Sequence, residues 1–435
     1  MFTSAFNLHS SNQKVQIMNI SDDHLPSYIY TYPTKDAYRP FTDWKKAASG
    51  FSNVVGKINL YIHIPFCEMK CAFCNLFTVT KNPRSVIERY LECLLKEIEI
   101  MRPYLLLDKL EVQSVYFGGG TPSLLDVDDL SSIIHRLKTL FTISNETEWS
   151  IEGAPNSFTQ QKFSDLKNLG FNRVSLGIQA FNSKLLHTTG RHYESTLGEV
   201  MAKMAIESGI KNINLDLIYG LPGQSLEEWR QDLSIACKLF PATLTLYPLA
   251  VRKRTFFGKK EIQDFLPPRE LYRWYDMSSN FLEKMGYFQN TFVTYSKNGG
   301  GCQHEAQQFQ GIPTLSFGSG ARKYAPSIHF ADEDYHNRLP HAITLKKYME
   351  TIEKGELLVS SAAFLTSRDQ QIQKVILGIL SSGVKEPGEF IPLILELKKK
   401  DLIAETESGY TLTKQGMRHS SSIAQWLMEK THVLV

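Results

Sequence analysis

Cys67, Cys71 and Cys74 place three thiols within eight residues, directly after the apolar run YIHIPF. The chain has only six cysteines. Three of them cannot pair off as disulfides, and three alone do not close a tetrahedral structural zinc site. A CxxxCxxC loop can instead hold three irons of a [4Fe-4S] cube and leave the fourth iron open for a chelating ligand. S-adenosylmethionine (SAM) carries such a chelate in the amine and carboxylate of its methionine end. One electron passed through the cube would break its S to C5′ bond and release a 5′-deoxyadenosyl radical. Zinc completed by a distant ligand such as His304 is the competing reading. Cys93 and Cys237, each alone on a helical stretch, read as core residues.

Other residues suited to the same chemistry lie further along. Gly118, Gly119 and Gly120, followed by Thr121 and Pro122, lack Cβ atoms where a ligand would approach the backbone, so their amides could take a carboxylate. A tight turn is the plain alternative. Glu152 and Asp216 suit ribose hydroxyls or a methionine ammonium, and the forked donors of Arg191 suit a carboxylate. Away from a cluster, each would read as a rim ion pair.

These residues need a scaffold that gathers them. Runs rich in Val, Ile, Leu and Tyr at 59–64, 113–117, 149–152, 173–178, 213–218 and 243–247 read as strands. Between them lie helical patterns. Val86, Tyr90, Leu94, Leu95 and Ile98 share one face ahead of Pro103, and Ser225 with Glu228 forms a capping box that opens a helix over 225–240. Six such units in series predict an α/β fold, a partial (β/α)6 TIM-like barrel with a parallel sheet inside and helices outside. The unusual residues all fall just after strands, where barrel enzymes keep their chemistry. The first strand runs into the cysteines, the second into the glycines, the third into Glu152 and the fourth into Gln179. The fifth carries Asp216 ahead of Gly220-Leu-Pro-Gly.

Residues 1–56 read as an N-terminal arm with the aromatic stretch YIYTYP, and 57–258 as the barrel. Residues 259–355 read as a barrel extension with a substrate lid, in which Cys302, His304 and His329 could touch substrate or be ordinary buried groups. Residues 356–435 read as a C-terminal α+β winged-helix-like domain, with helices at 368–380 and 390–400 and two short strands around Ser408-Gly409.

Apolar residues make up 42% and charged residues 21%, enough to fold a real cavity. A formal net charge of +3 gives no footprint for nucleic acid, and no basic recognition face stands out in the tail. The opening MFTSAFNLHSSNQ has no leader pattern and no long apolar run follows, so no membrane partner and a cytoplasmic address are expected. Reduced thiols in that compartment fit metal binding. A monomer is expected.

The stretches YIHIPFCEMKCAFC, YFGGGTPSLL, SIEGAPNSF, RVSLGIQAFN, TGRHY and NLDLIYGLPGQS resemble, in this order, the radical SAM family of oxygen-independent coproporphyrinogen III oxidase. Its other branches are a haem chaperone and the class C radical SAM methyltransferases. The resemblance is close over 28–247. It implies that Cys67, Cys71 and Cys74 ligate the cluster and that two SAM molecules share the site. By that resemblance Tyr61, Gly119 and Glu152 would hold the first SAM, and Phe73, Gly120, Thr121, Gln179, Arg191 and Asp216 the second. It also implies a reductase such as flavodoxin or ferredoxin as electron donor, and a small-molecule or tetrapyrrole-like substrate. Two departures bear on the branch. Leu76 stands where the decarboxylase branch has a further cysteine, and HEAQQF at 304–309 replaces the chaperone's His-Asn-x-x-Tyr-Trp. CNLFT and GSGARKYAPSIHF look most like methyltransferase-type members, so C-methylation of an sp² carbon is the expectation. Decarboxylation of coproporphyrinogen III, gripped by Arg252, Lys253, Arg254, Arg322 and Lys323, is the alternative, and a haem carrier the third.

Overall fold

Alternation along the strands separates two environments. In the computed structural model, which describes residues 20–26, 28–260 and 264–431, strand β1 (Gly56–Ile64) buries Ile58, Leu60, Ile62 and Ile64 completely. Asn59, Tyr61 and His63 lie on its other face. Side chains alternate along a strand, so one face packs on helices and the other looks into the barrel. The residues 1–13 read for a leader lie outside the described residues.

The same division recurs in β2 (Leu110–Gly119), β3 (Ile143–Gly153), β4 (Arg173–Gln179), β5 (Asn212–Tyr219) and β6 (Thr243–Pro248). These six strands pair in chain order, all parallel, with Tyr61 opposite Tyr116 and Ser150 opposite Arg173. Outward positions such as Val115, Phe117, Ile151, Val174, Leu176, Leu215 and Leu244 join one continuous core with the flanking helices. Helix α1 (Arg84–Met101) contributes Tyr90, Leu94 and Ile98 from a single face. Each such side chain removed from water contributes about 1.5–3 kcal/mol. Helices α2 (Val127–Leu140), α3 (Gln160–Leu169), α4 (Ser195–Glu207) and α5 (Leu226–Lys238) follow the next strands. The last opens on the expected Ser225 and Glu228 capping box.

Strands buried on both faces usually read as continuous apolar runs. Here the inner face is polar instead, with Ser114, Tyr116, Glu148, Ser150, Glu152, Arg173, Ser175, Asn214, Asp216, Thr243 and Thr245. A polar lining on strands that helices cover from outside marks an interior built to hold something.

The segment after the barrel corrects one expectation. Helix α6 (Pro268–Lys284) packs outside, then β7 (Phe288–Gln289) and β8 (Thr294–Ser296) extend the sheet beyond β6. The chain next crosses to the other edge. There β9 (Thr314–Phe317) runs parallel to β1, followed by antiparallel β10 (Arg322–Tyr324), β11 (Ile328–Ala331) and β12 (Ser361–Phe364). Cys302 and His304, read as lid residues, belong instead to short helix α7 (Gln303–Phe309) and its cap, on the strand-start side of the interior. The Glu148 carboxylate fixes that position by accepting the Gln303 amide at 3.0 Å and the His304 amide at 3.2 Å. His304 Nδ1 meets the Ser114 hydroxyl at 2.7 Å.

After α8 (His341–Glu353) come α9 (Ser367–Ile379), α10 (Ile391–Lys399), the hairpin β13 (Ile403–Thr406) and β14 (Gly409–Leu412), and α11 (Ser420–Thr431). They enclose a separate core that includes Ile376, Ile394 and Leu427, and into it the arm inserts Tyr32. Arg418 ties this region to α6 through Asp276 at 2.9 Å and to the arm through Asp22 at 2.5 Å. Among the described residues no helix is long and apolar enough to cross a membrane.

Candidate functional site

The cysteine loop leaves β1 and is pinned from two sides. Gly120 donates its amide to the Ile64 carbonyl and Thr121 to the Phe66 carbonyl, both at 2.8 Å, so the glycine turn lies flat against the start of the loop. A Cβ on Gly120 would stand 2.6 Å from the Phe66 carbonyl oxygen, which rules out any other residue at that approach. The Thr121 hydroxyl donates to Cys67 Sγ at 3.4 Å. All three loop cysteines are half-buried. Burial pushes the Cys67 thiol up to about 11, and Cys74 upward as well. A metal cluster would supply the positive charge that these thiols lack here.

Arg191 approaches Cys71 and donates to the Gly177 carbonyl and, at 2.8 Å, to the Tyr193 hydroxyl. Gln179 ends β4 with φ of +71°, a left-handed conformation unusual for a side chain with a Cβ. Its amide lies beside Gly177 together with Arg191: a Cβ on Gly177 would meet Gln179 Nε2 at 2.8 Å and Arg191 Nη2 at 3.4 Å. Phe73, on the cysteine loop, packs in a small cluster with Ile218, Leu249 and Tyr247. It therefore faces the ends of β5 and β6 rather than β1.

Across the barrel, Tyr61 stacks on Tyr116 with ring centroids 6.0 Å apart. Its hydroxyl lies 3.2 Å from His63 Nδ1, and His63 Nε2 lies 2.9 Å from the Phe77 carbonyl. A carbonyl only accepts, so Nε2 carries the hydrogen and Nδ1 accepts from Tyr61. Burial lowers the imidazole to about 4, keeping it neutral. Gly119 closes this wall at φ of +110°, where a Cβ would sit 2.5 Å from the His63 ring.

The two candidate carboxylates are held alike. Glu152 accepts from the Tyr116 hydroxyl at 2.7 Å and the Gly119 amide at 3.1 Å. Asp216 accepts from Ser175 Oγ at 2.9 Å and Asn214 Nδ2 at 2.8 Å. Burial raises both pKa values, and Arg173 acts on each only from a distance. Arg173 itself is engaged with the Gly301 carbonyl and Ser150, both at 2.9 Å. Neither Glu152 nor Asp216 has a cation within ion-pair reach among the described residues. A half-buried carboxylate in that state is ready for a cationic or hydroxyl-bearing ligand.

All the residues expected to act together thus line one interior or its rim, with the cluster loop on one side. A single ion needs its ligands around one point, and among the described residues no three His, Cys, Asp or Glu side chains are so grouped. A cube takes one thiolate at each of three corners, and three thiols on one loop beside a glycine cradle fit that demand. His304, the ligand considered for zinc, is committed to Ser114 and stacked 5.1 Å from Tyr116. The reading of single motifs missed His63, Tyr116, Arg173, Ser175 and Asn214. Their signal was the polar alternation along each strand.

A parallel barrel with a three-cysteine loop and a facing glycine turn defines the radical SAM class, and residues 61–236 match the Radical SAM superfamily. The heme chaperone HemW of Buchnera aphidicola (from Acyrthosiphon pisum) is 36% identical over 267 residues, 61% of this chain and 69% of its own. The anaerobilin synthase of Escherichia coli O157:H7 is 27% identical over 394 residues, 86% of this chain and 84% of its own. The structure of the E. coli coproporphyrinogen III oxidase HemN superposes with a TM-score of 0.78 at 22% identity. It covers 92% of this chain and 96% of that one, a likeness of fold. The chain belongs to the HemN/HemW-like family of radical SAM proteins. Membership implies a [4Fe-4S] cluster and SAM.

Proposed function

We propose that this chain is a radical SAM enzyme that holds one [4Fe-4S] cluster and two SAM molecules and methylates an sp² carbon of a small molecule. The observation that carries this reading is the pair of half-buried, hydrogen-bonded but cation-free carboxylates, Glu152 and Asp216, at two places in one interior. Each offers an anchor for one SAM, one beside Gly119 and Tyr61 and the other beside Gln179 and Arg191.

Cys67, Cys71 and Cys74 would ligate the cluster, with Thr121 orienting Cys67. When bound, the cluster supplies the electron that cleaves SAM and opens hydrogen-abstraction chemistry. Glu152, Gly119 and Tyr61 would position the first SAM, and Phe73, Gly120, Thr121, Gln179, Arg191 and Asp216 the second. The barrel wall and the Tyr28 to Tyr32 arm would exclude water from the reacting centre. Reductant would come from a flavodoxin or ferredoxin type of donor. In this reading residues 1–56, 57–258, 259–355 and 356–435 remain the functional divisions, a single chain suffices, and the cytoplasm is the working compartment.

Product analysis tests the reading. Reduced, cluster-loaded protein with SAM and substrate should yield 5′-deoxyadenosine and, in step with product, S-adenosylhomocysteine. Carbon dioxide and vinyl groups without S-adenosylhomocysteine would overturn methyl transfer in favour of decarboxylation. The relatives named heme chaperone favour a second reading, haem carriage. His304 gives it little support, being buried and lowered to about 3. For decarboxylation, the basic set expected to grip carboxylates is reduced. Lys323 is sequestered in a buried pair with Glu97 at 2.8 Å, while Arg252, Lys253 and Arg254 remain exposed. Haem titration followed by absorbance separates the carrier from both enzymes.

A further inference from the structure

Of the basic residues expected from the sequence to grip carboxylates, Arg322 is the one whose position on the sheet remains to be placed. Its place follows from register. Tyr324 pairs with Thr314, Thr314 with Asn59, and Arg322 lies two residues from Tyr324. Paired and alternate residues share a face, so Arg322 lies on the face of Tyr61, towards the barrel interior.

The guanidinium is enclosed by rings. Its centre is 5.6 Å from the Tyr30 ring centroid and 5.4 Å from that of Tyr324, and Nη2 donates to the Tyr30 hydroxyl at 3.1 Å. Nη1 is shielded from solvent with no hydrogen-bond partner. The Tyr38 hydroxyl faces the same guanidinium, but neither it nor Nη1 completes a well-aligned hydrogen bond. No carboxylate is within ion-pair reach of Arg322 among the described residues. Lys35, half-buried over the Tyr335 ring at 5.2 Å, is lowered first by burial and then by the charge of Arg322, with Glu333 offsetting part of it.

Two neighbouring half-buried cations repel one another and forgo part of their hydration, and tyrosine rings offset only part of that cost. An orphaned guanidinium N–H adds about the penalty of an unmade hydrogen bond. An oxyanion between Arg322 and Lys35 would relieve all three deficits at once.

We propose that Arg322, with Lys35 and the arm residue Tyr30, forms an oxyanion subsite on the inner wall that takes a ligand carboxylate. This deepens the function proposed above and rests on it for what the carboxylate belongs to. Two sources share the chemistry, the methionine end of SAM and an acid group on the substrate. In either case the N-terminal arm contributes directly to binding.

The test uses the anaerobic, cluster-loaded full chain and calorimetric titration with three probes: SAM, benzoate and neutral benzamide. Arg322→Gln should weaken binding of either SAM or benzoate about tenfold or more and leave benzamide unchanged. Loss confined to benzoate assigns the subsite to substrate, and loss confined to SAM assigns it to the methionine carboxylate. Lys35→Gln, on a partly exposed side chain, should shift the same probe by a smaller factor. It serves as the independent variant should Arg322→Gln fail to fold. Unchanged affinity for both SAM and benzoate in a folded variant would overturn the proposal. Failure of wild-type protein to cleave SAM would count against the function instead, since benzoate binding does not depend on turnover.

Discussion

Tyr116 donates its phenolic hydrogen to Glu152 Oε1 at 2.7 Å, which aims the carboxylate from one strand end while the Gly119 amide holds Oε2. The carboxylate is thereby positioned before any ligand arrives. Glu152→Gln should weaken SAM binding by about 10- to 100-fold, the scale of a lost charge-assisted hydrogen bond. Tyr116→Phe, which leaves the charge, should cost less. Calorimetric SAM affinity checks the order, and equal losses would show that Tyr116 does more than orient Glu152.

The cysteines divide into two groups. Cys71→Ala should abolish bound iron and SAM cleavage together. Cys302→Ala should retain full iron content, because that thiol is committed to the neighbourhood of Glu148 and Arg173. Iron assay after anaerobic reconstitution decides, and iron loss in the Cys302 variant would contradict the assignment.

Gly119 combines φ of +110° with a space filled by His63. Gly119→Ala should cost about 1–3 kcal/mol of local strain and displace the His63 ring. The expected outcome is normal iron content with SAM cleavage reduced at least tenfold. Unaltered kinetics would show that the wall yields freely.

Asp232 gives a pH dependence with a definite sign. It is buried, accepts from the Phe181 amide at 2.8 Å, and burial raises it from 3.8 to about 7. The folded protein therefore holds a proton that the unfolded chain has released. Its contribution to stability is full below the unfolded value and is lost as pH rises towards the folded one. Between about pH 4 and pH 7, thermal midpoints should fall on this account, and Asp232→Asn should flatten the slope while keeping an acceptor for Phe181. An unchanged slope would place the titration elsewhere, Asp332 being the nearest equivalent, also raised to about 7.

Local signals carried most of the barrel. Six strands and the Ser225 capping box stand where the alternation and spacing placed them, because periodicity and caps act within a few residues. The cluster loop was legible for the same reason. Helix α7 was not, since seven residues show too little period to announce a helix and its place depends on Glu148, more than 150 positions upstream. Lys323 read as a substrate grip because nothing nearby in sequence announces Glu97 as its partner. Arg322, one residue earlier, turned inward, so the alternation of a three-residue strand separated two adjacent cations that the sequence could not tell apart.

The most direct measurement is electron paramagnetic resonance of anaerobically reconstituted protein reduced with dithionite. The account predicts a reduced [4Fe-4S] signal that changes on adding SAM, because the three cysteines leave one iron open to it. A signal indifferent to SAM, or no cluster signal from folded protein, would contradict it.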